Sequence, residues 1–151
     1  MLLELAAGKR SDGTQVMEEV LVEELGPGRY RLSKSPGLVL GLAAGDVFSR
    51  STDGAFSIIE RAGNVCVQIF LPPGDGEPIA SAAAHEARKL GGWLDGKHAK
   101  LIVLTVPLRA GFKEIEGFLE TLVQRFPGAE WYYGNVYDAV DGVTPLNWWV
   151  H

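Results

Sequence analysis

Cys66 stands in the alternating run "NVCVQIF", residues 64 to 70, and is the only cysteine of the chain. A nucleophilic cysteine needs a neighbouring base and a lowered pKa. His85 falls in a helical stretch and His98 in a hairpin, so local geometry brings neither to Cys66. The expected role is a small buried hydrophobe. Asp46 follows Gly45 at a turn into a strand. It is either a carboxylate placed in a cleft or an acceptor for backbone N–H groups that fixes the turn, and the second role is the expected one. Asn64, after Gly63, carries the same two readings with the same outcome. His85, His98 and His151 form no H-x-x-x-H or H-E-x-x-H pattern, so no metal site is expected. "GDGE" and "DAVDG" lack the ligand spacing of a calcium loop. The glycines form neither a phosphate-cradling loop nor a nucleophile elbow, and no cofactor is expected. Arg109 lies just before a helix, where an anion can bind, although a solvated loop arginine is the commoner outcome.

Aromatic residues are the distinctive chemistry. "WYYGNVY" contains Trp131, Tyr132, Tyr133 and Tyr137, and "NWW" adds Trp148 and Trp149. In a strand Trp131 and Tyr133 share one face and Tyr132 takes the other. The C-terminal tryptophans have two readings that stay open here: exposed anchors for a partner, or a lid folded over the boundary between lobes.

The elements that position these residues follow from periodicity and turn chemistry. Residues 1–15 read as a frayed or edge segment. "VMEEVLVEEL" is a strand with Val20 and Val22 on one face. "GPG" turns into "RYRLSKS". "LVLGLAAGDVFSR" is rich in Leu and Ala, but Gly41 and Gly45 each cost a helix about 1 kcal/mol, so a turn followed by the strand 47–50 is expected. Asp53-Gly54 makes a hairpin, with "AFSIIERAG" as its return strand and "NVCVQIFLP" as the next strand. Short strands at close spacing predict a small, strongly bent barrel-like lobe.

The second half alternates between helical and strand-like runs. "IASAAAHEARKLGG" has Ile79, Ala83, Ala87 and Leu90 on one stripe. "WLDGKHAKLIVLTVP" is a hairpin whose second strand is apolar on both faces and therefore central. "GFKEIEGFLETLVQRFPG" carries Ile115, Phe118, Leu119, Leu122, Val123 and Phe126 on one face, and "AEWYYGNVYD" is a strand. The sequence therefore predicts an α+β fold in one compact unit. Its β lobe spans 1–63 and its ferredoxin-like βαββαβ lobe spans 64–151, and strand 64–71 serves both.

The chain has 151 residues, 46% apolar and 22% charged, with a net charge of -5 and a pI near 5.2. The acidic balance argues against nucleic acid as the main partner. No apolar run has membrane-spanning length, and the start "MLLELAAGKRSDG" has no basic region before its apolar run. With a single cysteine, these features predict a cytoplasmic protein without disulfides.

"LGPGRYRLSKSPGLVLGLAAGDVFSRSTDGAFSIIERAGNVCVQIF" resembles a bacterial domain family of unknown function. That family combines a G-x-Y strand, a proline, a G-L-x-x-G-D turn, a hairpin, and a strand opening on G-N or G-H. The matching positions are Gly28, Tyr30, Pro36, Gly41, Leu42, Gly45, Asp46, Gly63 and Asn64, within roughly residues 18 to 135. The resemblance implies an architecture and carries no activity.

Small size, acidic charge and the lack of a visible catalytic constellation point to a non-enzymatic binding protein. The expected class is an immunity protein that neutralises a basic, toxin-like partner by direct contact. The residues expected at that contact are Tyr132, Trp148, Trp149, Glu114, Glu116 and Glu120, with Arg109 as an anion-binding candidate. The alternatives are a small-molecule sensor, and an enzyme using Asp46, Arg109 or Cys66.

Overall fold

The computed structural model describes residues 1–98 and 100–150. It is a mixed α+β structure with two antiparallel sheets and two α-helices. The first sheet is a meander of β1 (Leu2–Lys9), β2 (Gln15–Gly26), β3 (Arg29–Leu32), β4 (Val47–Arg50) and β5 (Phe56–Glu60), in that order. The second contains β6 (Asn64–Phe70), β7 (Trp93–His98), β8 (Leu101–Pro107) and β9 (Glu130–Tyr133), ordered β7-β8-β6-β9. Helix α1 (Glu77–Lys89) joins β6 to β7, and α2 (Phe112–Arg125) joins β8 to β9. Among the described residues no helix is long and apolar enough to cross a membrane.

The N-terminal residues decide between the two sequence readings, a frayed or an edge segment. Residues 2–9 are an edge strand paired with β2 from Leu2 opposite Leu21 to Ala6 opposite Met17, with a register shift before Lys9 opposite Gln15, and are not frayed. Leu5 is fully buried in this strand and anchors it. The expected barrel does not close. The sheet curls until the turn after β4 reaches β1, where the Ala6 N–H donates to the Gly54 carbonyl at 2.9 Å and Arg50 Nε donates to the Glu4 carbonyl at 2.7 Å. These contacts replace a ladder. Gly54 sits at φ +90°, and a Cβ there would fall 3.1 Å from the Ala6 backbone nitrogen, so the close approach favours glycine.

Strand β6 is the second correction. It does not serve both halves. Its neighbours are β8 and β9, and it makes no ladder with the first sheet. Residues 65–69 are all buried, which demands a partner on each edge and cover on both faces. Val65, Val67 and Ile69 face the helices. There Ile79, Ala83 and Ala87 of α1 and Ile115, Leu119 and Leu122 of α2 complete a core with Ile102, Leu104 and Val106 of β8. The alanine stripe lets α1 lie close to the sheet.

The opposite face of the second sheet is covered by residues 33–46, the segment between β3 and β4, which joins the halves. Val39 and Leu42 pack into the core of the first sheet with Leu5, Val20, Leu32 and Phe48. Ala43 packs against Cys66, Leu101 and Val103 of the second. Polar groups fasten both sides. The N–H groups of Gly37, Leu38 and Val39 donate to the Glu18 carboxylate of β2 at 2.8, 2.9 and 2.8 Å. Gln68 Nε2 of β6 donates to the Gly37 carbonyl at 2.9 Å. A segment without regular structure can be buried because its backbone groups find such partners.

Candidate functional site

Strand β9 borders the second sheet and projects aromatic side chains to both faces. Trp131 and Tyr133 lie against the helical core, and Tyr132 lies on the other face, 53% exposed. Each donates a hydrogen bond to a carboxylate. Trp131 Nε1 reaches Glu120 at 3.1 Å, Tyr132 Oη reaches Glu130 at 3.0 Å, and Tyr133 Oη reaches Glu116 at 2.7 Å. Burial, together with the carboxylate that accepts its proton, pushes the Tyr133 phenol pKa upward. The hydrogen bond to Glu130 does the same for Tyr132. Both phenols therefore stay protonated donors at neutral pH.

The chain after β9 builds a facing wall. Tyr137 bridges Pro145, the Asp138 N–H donates to the Thr144 carbonyl at 2.8 Å, and Asp141 accepts the N–H groups of Val143 and Thr144 at 2.9 Å each. Between this tip and β9 runs a groove of about 540 Å³, lined by Leu40, Phe70, Glu116, Trp131, Tyr132, Tyr133, Tyr137 and Asp138, among others. Phe70 and Tyr132 meet edge to face, with centroids 5.6 Å apart. Phe70 also borders a second hollow of about 700 Å³, shared with Met17, Leu38 and Leu101. Exposed apolar side chains therefore run from Leu38 and Leu40 through Phe70 and Tyr132 to Tyr137.

The expected contact residues divide. Tyr132 and Glu116 share the groove, and Glu120 stands behind Trp131. Glu114 lies elsewhere, in the trough between the helices beside Glu86, Lys89 and Arg125. Trp148 and Trp149 pack as a lid. Trp148 Nε1 donates to the Asn135 carbonyl at 2.8 Å beneath the Arg61 guanidinium, which lies 5.5 Å from the ring centroid. Trp149 stacks edge-on against Phe112 at 5.1 Å and Trp148 at 5.3 Å. Arg109 is exposed in the 3-10 turn Leu108–Ala110, close to Gly91.

Of the candidate catalytic residues, Cys66 and Asp46 are enclosed, Cys66 beside the Gly134 backbone and Asp46 beside the Arg61 side chain that covers Trp148, while Arg109 is exposed. Cys66 is fully buried, and burial, followed by the nearby Asp95 charge, pushes its thiol pKa upward. A thiol held neutral in this way is a poor nucleophile. Asp46, 1% exposed, accepts the Ala43 N–H at 3.0 Å and the Ala62 N–H at 2.9 Å, with Arg61 at 3.3 Å. Asn64 Nδ2 donates to the Ala44 carbonyl at 2.8 Å. Both residues fasten turns. His85 and His98 are exposed and apart, and His151 lies outside the described residues. Among the described residues no group of three His, Cys, Asp or Glu side chains is placed to hold a metal ion.

The sequence reading missed two features. Phe70, Leu38 and Leu40 complete the apolar strip, and only strand alternation hinted that Phe70 shares a face with Gln68. A buried chain of hydroxyls was also missed. The Ala44 N–H donates to Ser35 Oγ at 2.9 Å, Ser35 Oγ lies 2.7 Å from Thr105 Oγ1, and Thr105 donates to Asp95. Trp93 Nε1 also donates to Asp95, at 2.8 Å. Burial raises the Asp95 pKa against these hydrogen bonds. This chain of hydroxyls ends on the Asp95 carboxylate and ties the 33–46 segment to the second sheet.

A comparison with curated proteins found no match. Among solved structures, a hypothetical protein from Neisseria gonorrhoeae is similar in fold, with a TM-score of 0.66 at 13% identity. The similarity covers 88% of this chain and 92% of that one. Residues 18–126 match the model of the domain of unknown function DUF4265, the stretch that holds the G-x-Y strand, the G-L-x-x-G-D turn, β6 and both helices, and the chain belongs to that family.

Proposed function

We propose that this chain is a non-enzymatic protein-binding module that engages a basic protein through the groove beside β9, in the manner of an immunity protein neutralising a toxin. One observation carries the reading. A contiguous strip of exposed apolar side chains, Leu38, Leu40, Phe70, Tyr132 and Tyr137, lies next to Glu116, Glu130 and Asp138, none of which forms an ion pair among the described residues. Aromatic side chains supply most of the affinity at such contacts, and uncompensated carboxylates steer a cationic partner. Phe70 and Tyr132 replace Trp148 and Trp149 as the anchors. In the same reading the molecule is two lobes, 1–63 and 64–151, the second ferredoxin-like, and it works in the cytoplasm.

The test places a photo-crosslinking benzoylphenylalanine at position 132 or 70 in the intact chain inside cells. The expected result is one dominant basic protein crosslinked from both positions and not from position 114. Purified with that protein, Tyr132→Ala should raise the dissociation rate at least about tenfold, and Glu116→Gln should lower the association rate and its salt sensitivity. Crosslinks that are diffuse, or equal from position 114, reject the reading. A small-molecule sensor is the second reading, favoured by a groove volume of about 540 Å³, within the usual ligand range. A tightly retained compound in native mass spectra, displaced by Tyr132→Ala, would select it.

A further inference from the structure

The mode of recognition can be read from the edge of β9, and this step rests on the protein-binding reading above. We propose that β9 receives an extended, basic segment of the partner as an added strand, seated between β9 and the tip formed by Tyr137–Gly142. The register supplies the first observation. Tyr133 stands opposite Val67 and Trp131 opposite Ile69, and the Gly134 N–H donates to the Cys66 carbonyl at 2.8 Å. In an antiparallel ladder the bonded pairs alternate. Tyr132 and Glu130 therefore bond inward to β6, while the N–H and C=O groups of Trp131 and Tyr133 point away from the sheet. Being the last strand of its sheet, β9 offers these groups to a new strand.

The groove supplies the second observation. It is lined by Trp131, Tyr133 and Glu116 on the helical side of β9 and by Tyr132 and Phe70 on the other. A groove lined from both faces of a strand runs along its edge. The Tyr137–Gly142 tip closes the far side, which leaves a slot rather than an open flank. Side chains of an added strand would alternate between the two sides.

Charge selects the occupant. Glu116, Glu120 and Glu130 are each held by an aromatic side chain of β9, and Asp138 lines the groove with Glu116 from the tip. A second copy pairing β9 to β9 would set this acidic row against itself, which like charges oppose. A strand bearing lysine or arginine at alternate positions meets it with opposite sign.

The test uses the full chain and a nine-residue peptide of alternating lysine and valine, compared with the same peptide N-methylated at alternate amides and with a glutamate–valine peptide. Amide hydrogen exchange and NMR titration provide the readouts. The lysine–valine peptide should slow exchange at the Trp131 and Tyr133 amides at least about tenfold, and N-methylation should weaken its binding by a similar factor, as the loss of two or more hydrogen bonds does. The glutamate–valine peptide should not bind, and combined Glu116→Gln, Glu120→Gln and Glu130→Gln changes should reduce affinity and flatten its salt dependence. Failure of millimolar lysine–valine peptide to protect these two amides overturns the proposal. So does self-association of the chain that protects them in the absence of peptide. Binding abolished by Tyr132→Ala but indifferent to N-methylation would remove the added strand and leave the protein-binding reading intact. Protection by the peptide combined with no crosslinked protein in cells would keep the edge mode and remove the assigned partner.

Discussion

The first sheet is covered mainly by one irregular segment, with Val39 and Leu42 set against Leu5, Val20, Leu32 and Phe48. The second is covered by two helices on one face and by that same segment on the other. The difference is visible along the strands. β5 has no fully buried residue, whereas every residue of β8 is buried. A sheet with one covered face can let its edge curl and its turns reach across, as the Gly54 contact to β1 does. A sheet with two covered faces has mainly its edges left for function; β7 exposes Trp93 at one edge, and β9 carries Trp131, Tyr132 and Tyr133 in a row at the other. The lesson concerns where recognition can sit. The more completely buried sheet gives its binding chemistry to an edge strand, because its faces are occupied.

The comparison is broken most severely at the helical core. Leu119→Ala should cost about 2–5 kcal/mol, the range for a fully buried leucine whose cavity cannot collapse. Denaturant melts should show the loss as a shift in midpoint. A midpoint equal to wild type would mean that α2 does not seal the second sheet.

The seam between the halves comes next. Glu18→Ala strips a carboxylate from three backbone N–H groups and should cost about 1–3 kcal/mol. Hydrogen exchange should accelerate first at Gly37, Leu38 and Val39. Uniform acceleration over the whole chain would show that the segment is not a separable fastening.

Cys66→Ser replaces a sulfur packed with Ala43, Leu101 and Val103 by a smaller hydroxyl and should cost about 1–3 kcal/mol. In the native wild type a thiol reagent should label Cys66 slowly, and after denaturation quickly. Rapid native labelling would mean that the seam opens, and it would bring cysteine chemistry back into consideration.

The smallest effect is one of pH. Burial raises the Asp95 pKa above its ordinary 3.8, so the folded state holds this proton more tightly than the unfolded state. The stabilising contribution is complete below 3.8 and is lost as pH rises through the folded pKa. Wild type relative to Asp95→Asn should therefore be most stable in acid and lose that advantage upward from 3.8. An advantage that grows with pH would mean the Thr105 and Trp93 hydrogen bonds outweigh burial.

Much of the second half was legible because its elements carry their own period. The stripe Ile115, Leu119 and Leu122 is a local property of α2, and the uninterrupted apolar run 101–106 announces a strand covered on both faces. The structural roles of Asp46 and Asn64 were legible for a similar reason, since an Asp or Asn beside a glycine at a turn has backbone donors or acceptors within reach. Other features were settled by contacts distant in sequence. Whether β6 joined the first sheet depended on competition from β8 and β9, some thirty or more residues away along the chain, and the alternation of "NVCVQIF" is the same with either partner. Leu38 and Leu40 look like core residues of a loop until the Glu18 carboxylate fixes that loop and leaves them facing solvent beside Phe70. Trp148 and Trp149 read equally as anchors or as a lid until the Asn135 carbonyl and the Phe112 ring claim them. Sequence by itself determined which residues must be hidden or hydrogen-bonded, because hydrophobicity and turn chemistry are local. Only the tertiary structure decided which aromatics remained exposed, because exposure is what is left after distant segments have competed for the same surface.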